Sequence, residues 1–447
     1  MHIDYFLSVF KKNSKKDSII WKNKNYSYGW LIDKYDVWCS YLAEKDILRG
    51  SVVVIQADFS PNSIALLLAL VEREAILVPV TKSIQSKKDE FIRVAQAEII
   101  IEITDDDVVT LNHFNKKSEH YLYKALKKKK KPGLVLFSSG STGESKASVH
   151  DLTNLLQKFM KPKQALVTIT FLLYDHIGGF NTLFYILSNA GLIVTVDNRS
   201  PVSVLNLVEK YKVELLPTSP TFLNLILISG EYKNYNLSTL KIITYGTEPM
   251  PQTTLEKFNL LFPKIKFKQT YGLSEVGILQ SKSESSDSLW LKVGGRSSQT
   301  RIVDNMLEIK SKSAMLGYLN AKSPFTNDGW FRTGDKVEIK GEHIKILGRE
   351  SEIINVGGEK VYPQEVENIL LKLKEVKDVT VFGEKNQIIG NIVCAEIELI
   401  NNLKNQKDFE KRMKQYCINN LEKYKVPIKF IYRTSIKHNP RFKKKRT

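Results

Sequence analysis

Short apolar runs rich in valine and isoleucine recur along the chain at Val52 to Ile55, Ala75 to Val80, Ile99 to Ile103, Leu134 to Phe137, Leu192 to Val196 and Lys241 to Thr244. They show no polar alternation, which is the pattern of strands covered on both faces. Between them lie segments of helical periodicity, Ser63 to Val71, Leu152 to Met160, Val202 to Lys210 and Thr253 to Leu261. Strand and helix in alternation predict an α/β fold with a mainly parallel sheet. Beyond about residue 280 the pattern becomes glycine-punctuated and alternating, through Met306 to Lys310 and His343 to Leu347, and predicts antiparallel strands. A mixed pattern then returns. Pro363 opens a helix over Gln364 to Leu373, Val379 to Phe382 and Ile392 to Ile397 read as strands, and Phe409 to Leu421 reads as a helix. The expected organisation is a large multi-layer N-terminal domain, residues 1–348, with parallel sheets and a strand-rich subdomain, followed by a small mobile α+β domain, residues 349–447.

The length of 447 residues exceeds what one core usually organises, and 42% hydrophobic with 26% charged residues places the chain among ordinary globular proteins. The most apolar stretch, Pro61 to Val80, is interrupted by Glu72, Arg73 and Glu74, so it reads as a buried helix followed by a strand and no membrane span is expected. Met1 to Phe10 carries Asp4 and no basic segment ahead of its apolar residues, which argues against a secretory signal. Cys39, Cys394 and Cys417 are widely separated and lack any metal-ligand spacing, so neither a disulfide framework nor a zinc site is expected, and a reducing cytoplasm fits best.

A formal charge of +19 favours anionic partners: nucleotides, coenzyme A, an acidic carrier protein or nucleic acid. The run Lys127 to Lys131, ending at Pro132, reads as a solvated loop, and no nucleic-acid motif accompanies it. The sharpest local signal is Leu134-Val-Leu-Phe-Ser-Ser-Gly-Ser-Thr-Gly-Glu-Ser-Lys146. An apolar strand runs into a loop whose backbone N–H groups, hydroxyls and ammonium suit a phosphate chain. It is not the loop of P-loop nucleotide hydrolases, because no hydroxyl residue follows Lys146. By itself the segment could equally be a flexible loop.

Further motifs follow in order: Tyr245-Gly-Thr-Glu-Pro249, Gln269-Thr-Tyr-Gly-Leu-Ser-Glu-Val-Gly277, Asp328-Gly-Trp-Phe-Arg-Thr-Gly-Asp335, Gly348-Arg-Glu-Ser-Glu-Ile-Ile-Asn-Val-Gly-Gly-Glu-Lys-Val-Tyr-Pro363 and a basic tail, Lys443-Lys-Lys-Arg446. With these the sequence resembles the adenylate-forming superfamily of acyl- and aryl-CoA synthetases, luciferases and nonribosomal peptide adenylation domains. The resemblance covers nearly the whole chain, from Tyr26-Ser-Tyr-Gly-Trp30 onward. It implies an ATP- and Mg²⁺-dependent acid–thiol ligase: a carboxylate attacks the α-phosphate of ATP to give an acyl-adenylate and pyrophosphate, and the thiol of coenzyme A or of a carrier-protein phosphopantetheine then displaces AMP. The first step joins two anions, so it needs cations and hydrogen-bond donors where charge builds up.

The same resemblance implies residue roles. Ser138, Ser139, Gly140, Ser141, Thr142 and Gly143 with Lys146 would hold the β- and γ-phosphates, and Ser145 stands where proline is usual, which predicts a slightly less stiff loop. Tyr271 and Gly272 would lie against adenine, Ser274 on the α-phosphate and Glu275 on Mg²⁺. Gly246, Thr247 and Glu248 would line the adenine and acyl pockets, with Gly277 beside them. Asp335 would accept the ribose hydroxyls and Arg349 add a fixed fork near ribose and phosphate. Counting from Val426-Pro427 brings the C-terminal catalytic lysine to Lys443, with Lys444 and Arg441 as alternatives. Ser351, two residues after Arg349, marks the expected hinge of the small domain, and the glycines of Asn355-Val-Gly-Gly358 would let a pantetheine arm pass.

The acid itself turns on Phe171-Leu-Leu-Tyr-Asp-His-Ile-Gly-Gly179. His176 with Gly179 matches the pattern of acyl-CoA synthetases, whereas Tyr174-Asp175 resembles that of amino-acid-activating domains. A buried Asp175 facing the pocket would want a substrate ammonium; alternatively it hydrogen-bonds the start of a helix over Gly179 to Ser188, and His176 lines an acyl pocket. The second account predicts a carboxylic acid without an amino group. Two rival readings are a non-catalytic nucleotide-binding protein, disfavoured because Lys146, Glu275, Asp335 and Arg349 are all present, and a nucleic-acid binder, which does not explain the ordered motifs.

Overall fold

The protein is described here from a computed structural model covering residues 2–138, 144–386, 390–401, 406–434 and 436. Among these residues one seven-stranded sheet runs in the order Gly317–Tyr318, Lys146–Asp151, Gly133–Ser138, Ile76–Val80, Val52–Gln56, Ile99–Ile103, Val109–His113. Its inner strands are parallel and its outer pairings antiparallel. A second runs Lys266–Gln269, Ile242–Tyr245, Leu215–Thr218, Val167–Ile169, Leu192–Val194, Asp17–Trp21, Lys24–Ser27, parallel until the last hairpin. Helices fill the space between. In Pro61–Glu72 every residue from Pro61 to Val71 is buried, the mark of a helix enclosed on all sides. Its side chains share one core cluster with Val53, Ile55, Leu77 and Leu136 of the first sheet and Ile19 and Ile193 of the second.

Each strand expected from the apolar runs is present, mostly within a residue or two of its expected ends. The differences have local causes. The helix expected over Leu152 to Met160 ends at Leu156 and tightens into a single 3₁₀ turn, Gln157–Phe159. The last two long strands, Val376–Asn386 and Gly390–Leu399, extend well beyond their apolar centres because cross-strand pairing carries polar residues such as Glu384 and Lys385 along with it. Lys127 is held by Ser118 Oγ at 2.9 Å, with Glu98 at 3.6 Å, so the lysine run is in part a packed helix end, not a free loop.

The strand-rich part is a six-stranded antiparallel sheet, Ser281–Ser283, Leu291–Val293, His343–Arg349, Phe331–Lys340, Met306–Ser311, Ser298–Val303. The small C-terminal part has its own core, from Ile354 to Val426, in which the helices Pro363–Leu370 and Gln406–Asn420 cover a sheet ending in Lys429–Arg433. It touches the large part through Asn224 Nδ2, which donates to Asp378 Oδ1 at 3.4 Å. Among the described residues no helix is long and apolar enough to cross a membrane.

Candidate active site

The strands Phe331–Lys340 and His343–Arg349 form a hairpin whose register places Asp335 opposite Arg349. Arg349 Nε lies 3.1 Å from Asp335 Oδ1, and the hydroxyl of Tyr271 donates to Asp335 Oδ2 at 2.5 Å. Asp335 is nearly enclosed, its side chain 7% exposed, while Arg349 keeps about half its surface. Burial pushes the Asp335 carboxyl above its ordinary range, with Arg349 and Tyr271 pulling it back. Burial and the neighbouring Asp335 charge push the Tyr271 phenol well above its ordinary value, which keeps it a donor. An ionised carboxylate offers roughly four acceptor positions. Two are taken by protein donors, and two remain for a ligand with paired hydroxyls.

The phosphate-loop motif falls partly outside the described residues, since Ser139, Gly140, Ser141, Thr142 and Gly143 are not among them. Its two flanks are placed. Ser138 closes the strand Gly133–Ser138 and pairs in register with Lys146 of the antiparallel return strand. Ser145 is firmly anchored: its N–H donates to Glu90 at 2.9 Å, its Oγ accepts from Lys87 at 3.0 Å and its carbonyl accepts from Asn320 at 2.9 Å. A proline there could not donate to Glu90, so the serine replaces ring stiffness with an added hydrogen bond.

Glu275 faces the same region. Its Oε1 accepts from Tyr318 at 2.8 Å, and the Lys146 ammonium stands 5.8 Å from the centre of the Tyr318 ring. The turn carrying Ser274 and Glu275 is pinned by His150, whose Nε2 reaches the carbonyl of Ser274 at 2.7 Å. The carbonyl can only accept, so Nε2 carries the proton, and burial lowers the imidazole pKa to about 4, keeping the ring neutral. Tyr318, His150 and Asn320 were not singled out in the sequence. Tyr318 follows Gly317 in a two-residue strand, too short for any periodic signal.

Around the residues expected to line the acid pocket, the carboxyl ends of Leu215–Thr218 and Ile242–Tyr245 lie in register, where ligands sit in open parallel sheets. Gly246 follows, and a Cβ there would come within 2.6 Å of the Thr270 carbonyl, so close backbone packing alone requires a glycine. Gly277 has φ +77°, a turn requirement of the same structural kind. Thr247 holds φ +75° without being glycine, a strained conformation of the sort found at ligand sites. Glu248 Oε1 accepts from the N–H of Thr221 at 2.8 Å, at the start of the helix Pro220–Ser229, so this carboxylate also complements a helix dipole. The helix expected from Gly179 begins at Ile177, and its cap is His176, whose Nδ1 accepts from Gly178 at 3.0 Å. That corrects the account of Asp175 as the cap. Asp175 is 4% exposed, and Thr81 Oγ1 lies 3.4 Å from its Oδ2.

Asp335, Arg349, Tyr271, Glu275 and Lys146 are thus brought together, and Ser274 is fixed beside them. Lys443 lies outside the described residues. Ser351 sits exposed in the 3₁₀ turn Glu350–Glu352 that joins the hairpin to the small part. A crevice at this joint is lined by Pro249, Arg349, Glu352, Tyr362 and Gln364. Proline's fixed φ falls within the range of such a turn, but it restricts the residue ahead of it as well. If the chain runs the two half-reactions that the sequence resemblance implies, with Ser351 as their hinge, Ser351→Pro is expected to leave the melting temperature within a few degrees of wild type and to slow thioester formation from a supplied acyl-adenylate at least tenfold more than adenylate formation. Equal losses in the two half-reactions would place the hinge elsewhere.

A family model described as AMP-binding enzyme matches residues 8–325, and one described as AMP-binding enzyme C-terminal domain matches residues 365–443. The chain is 25% identical to 4-coumarate–CoA ligase 4 of Arabidopsis thaliana over 330 residues, 66% of this chain and 58% of that protein. It is 23% identical to indoleacetate–CoA ligase of Aromatoleum aromaticum over 440 residues, 86% of this chain and 85% of that protein. The match to the first covers less than two thirds of that relative's length. Among solved structures, the anthranilate CoA ligase AuaEII in complex with anthranoyl-AMP superposes with a TM-score of 0.82 at 16% identity, covering 98% of this chain and 95% of that one. ATP-bound MatB from Rhodopseudomonas palustris superposes with 0.78 at 20% identity, covering 99% and 97%. At these identities the likeness establishes the fold, a large α/β part with a small α+β part.

Proposed function

The chain belongs to the AMP-binding enzyme family, and from that premise we propose that it activates a carboxylic acid as an acyl-adenylate and passes the acyl group to a thiol. The observation that carries this reading is the joint placement of Asp335, Tyr271 and Arg349 on one side and Lys146 and Glu275 on the other. One group suits a ribose, the other a phosphate chain.

In the first half-reaction a carboxylate oxygen bonds to the α-phosphorus and pyrophosphate leaves with the electrons of the broken P–O bond. Lys146 supplies fixed positive charge for the phosphates, and Asp335 orients the nucleoside through its two remaining acceptor positions. In the second, a thiol sulfur bonds to the acyl carbon, the thiol proton is lost and AMP departs. Among the described residues no cluster of His, Cys, Asp and Glu could hold a metal by itself. The single carboxylate of Glu275 nevertheless fits Mg²⁺, which takes one or two carboxylates and completes its shell with nucleotide phosphates and water. When bound, the ion would neutralise phosphate charge.

The acceptor we propose is coenzyme A or a carrier-protein phosphopantetheine, reached past Asn355-Val-Gly-Gly358, whose two glycines have φ +59° and +92°. For the acid we propose a fatty, aryl or hydroxy acid, with Asp175, His176, Gly246 and Gly277 around its pocket. Pyrophosphate exchange across fatty, aryl, hydroxy and amino acids, repeated with coenzyme A and with carrier proteins, tests this. Exchange with a non-amino acid followed by a coenzyme A thioester supports it. Exchange with no acid refutes it, and a tenfold preference for an amino acid that Asp175→Ala removes would make the enzyme an amino-acid activator.

A further inference from the structure

The short strand Gly317–Tyr318 packs antiparallel to Lys146–Asp151, with Tyr318 opposite Ser148 and Gly317 opposite Val149. Four further bonds extend this pairing. Leu316 N–H donates to Val149 O at 2.7 Å, Leu319 N–H to Ala147 O at 2.9 Å, and the side-chain amide of Asn320 both accepts from Ala147 N–H at 3.1 Å and donates to Ser145 O at 2.9 Å. At its other end Met315 N–H donates to the carbonyl of Glu275 at 2.7 Å. Residues 315–320 therefore tie the strand leaving the phosphate loop to the residue placed at the cation. Tyr318 lies in the middle, 9% exposed, with its hydroxyl on Glu275 and its ring facing Lys146.

We propose that Tyr318 is the positioning residue for Glu275: its hydroxyl holds one carboxylate oxygen, leaving the other to face the cation that accompanies the nucleotide, while its ring sets Lys146 beside the same phosphates. This rests on the nucleotide reading above. A glutamate side chain is flexible, and fixing it before the ligand arrives removes an ordering cost from binding. A carboxylate can only accept, so the Tyr318 hydroxyl is the donor in its 2.8 Å bond to Glu275 Oε1. A purely packing role would need only the ring.

Tyr318→Phe separates the two, since it keeps the ring and removes the hydroxyl. Calorimetric titration with a non-hydrolysable ATP analogue, with and without Mg²⁺, supplies the readout. The Mg²⁺-free affinity is expected to stay within about twofold of wild type, and the gain in affinity on adding Mg²⁺ to fall about tenfold, the scale of one hydrogen bond to a charged group. In a Glu275→Gln background the same substitution should add less than about twofold, because the partner's charge is already gone. A full Mg²⁺ gain in Tyr318→Phe, or losses that simply add in the double variant, would overturn the inference. Wild-type chain that binds the analogue no better with Mg²⁺ would overturn the cation role of Glu275 and this inference with it.

Discussion

Asp335→Asn is expected to weaken binding of a non-hydrolysable ATP analogue by roughly two orders of magnitude, from the 1.5–3 kcal/mol that hydrogen bonds to a charged group contribute. The carboxylate now accepts from Tyr271 and Arg349 and has two acceptor positions left. Arg349 can only donate, so the asparagine oxygen must face it and the amide nitrogen must turn toward Tyr271. That leaves one acceptor position where there were two. The pH dependence follows from the same burial. Because the folded-state pKa of Asp335 is raised above 3.8, analogue affinity should begin to fall on acidification at a higher pH than for an ordinary aspartate, and the asparagine variant should lack this limb. For stability the sign is opposite. A raised folded pKa favours the protonated folded state, so this group's contribution is fully present below the unfolded value and lost as pH rises through the folded one. Calorimetry from mildly acidic to neutral pH compares wild type with the variant, and an asparagine variant within threefold of wild type would remove Asp335 from the nucleotide site.

Lys443→Ala should reduce acyl-adenylate formation by roughly three orders of magnitude and spare thioester formation from a supplied acyl-adenylate. Two anions meet in the first step, and a cation bridging the attacking carboxylate and a phosphate oxygen lowers their repulsion and aligns them. No such meeting occurs in the second. Lys443 itself lies outside the described residues, so this rests on the count from Val426-Pro427. The chain is well anchored up to that landmark and beyond it: Val426 packs in the small core, Lys429–Arg433 pairs along Gly390–Leu399, and Ile436 N–H donates to Glu398 at 2.9 Å. Paired half-reaction assays decide the register. Normal adenylation by Lys443→Ala alongside loss in Lys444→Ala or Arg441→Ala would move the role to a neighbour.

Much of this was legible in residue order alone. Unbroken apolar runs such as Ile76–Val80 can be satisfied only between two covering layers, so they announce parallel sheets without any tertiary information. Ordered motifs made a family resemblance legible, and with it the expectation that Asp335 serves a ribose and Ser138 to Lys146 a phosphate chain. What residue order could not decide is where the remaining bonds of each polar group go. Asp175 and His176 are adjacent, and either could cap the next helix; the backbone path gives the cap to His176. Glu248 and Ser145 looked like a pocket residue and a missing proline, and the fold gives one a helix end and the other Glu90 as a partner. Tyr318 shows the limit most plainly. It stands 43 positions from Glu275 in a strand of two residues, and only the antiparallel pairing with Lys146–Asp151 brings it there. Periodicity reports which face of an element is buried, whereas a hydrogen bond between distant residues depends on how elements cross, and that is set by packing across the whole core.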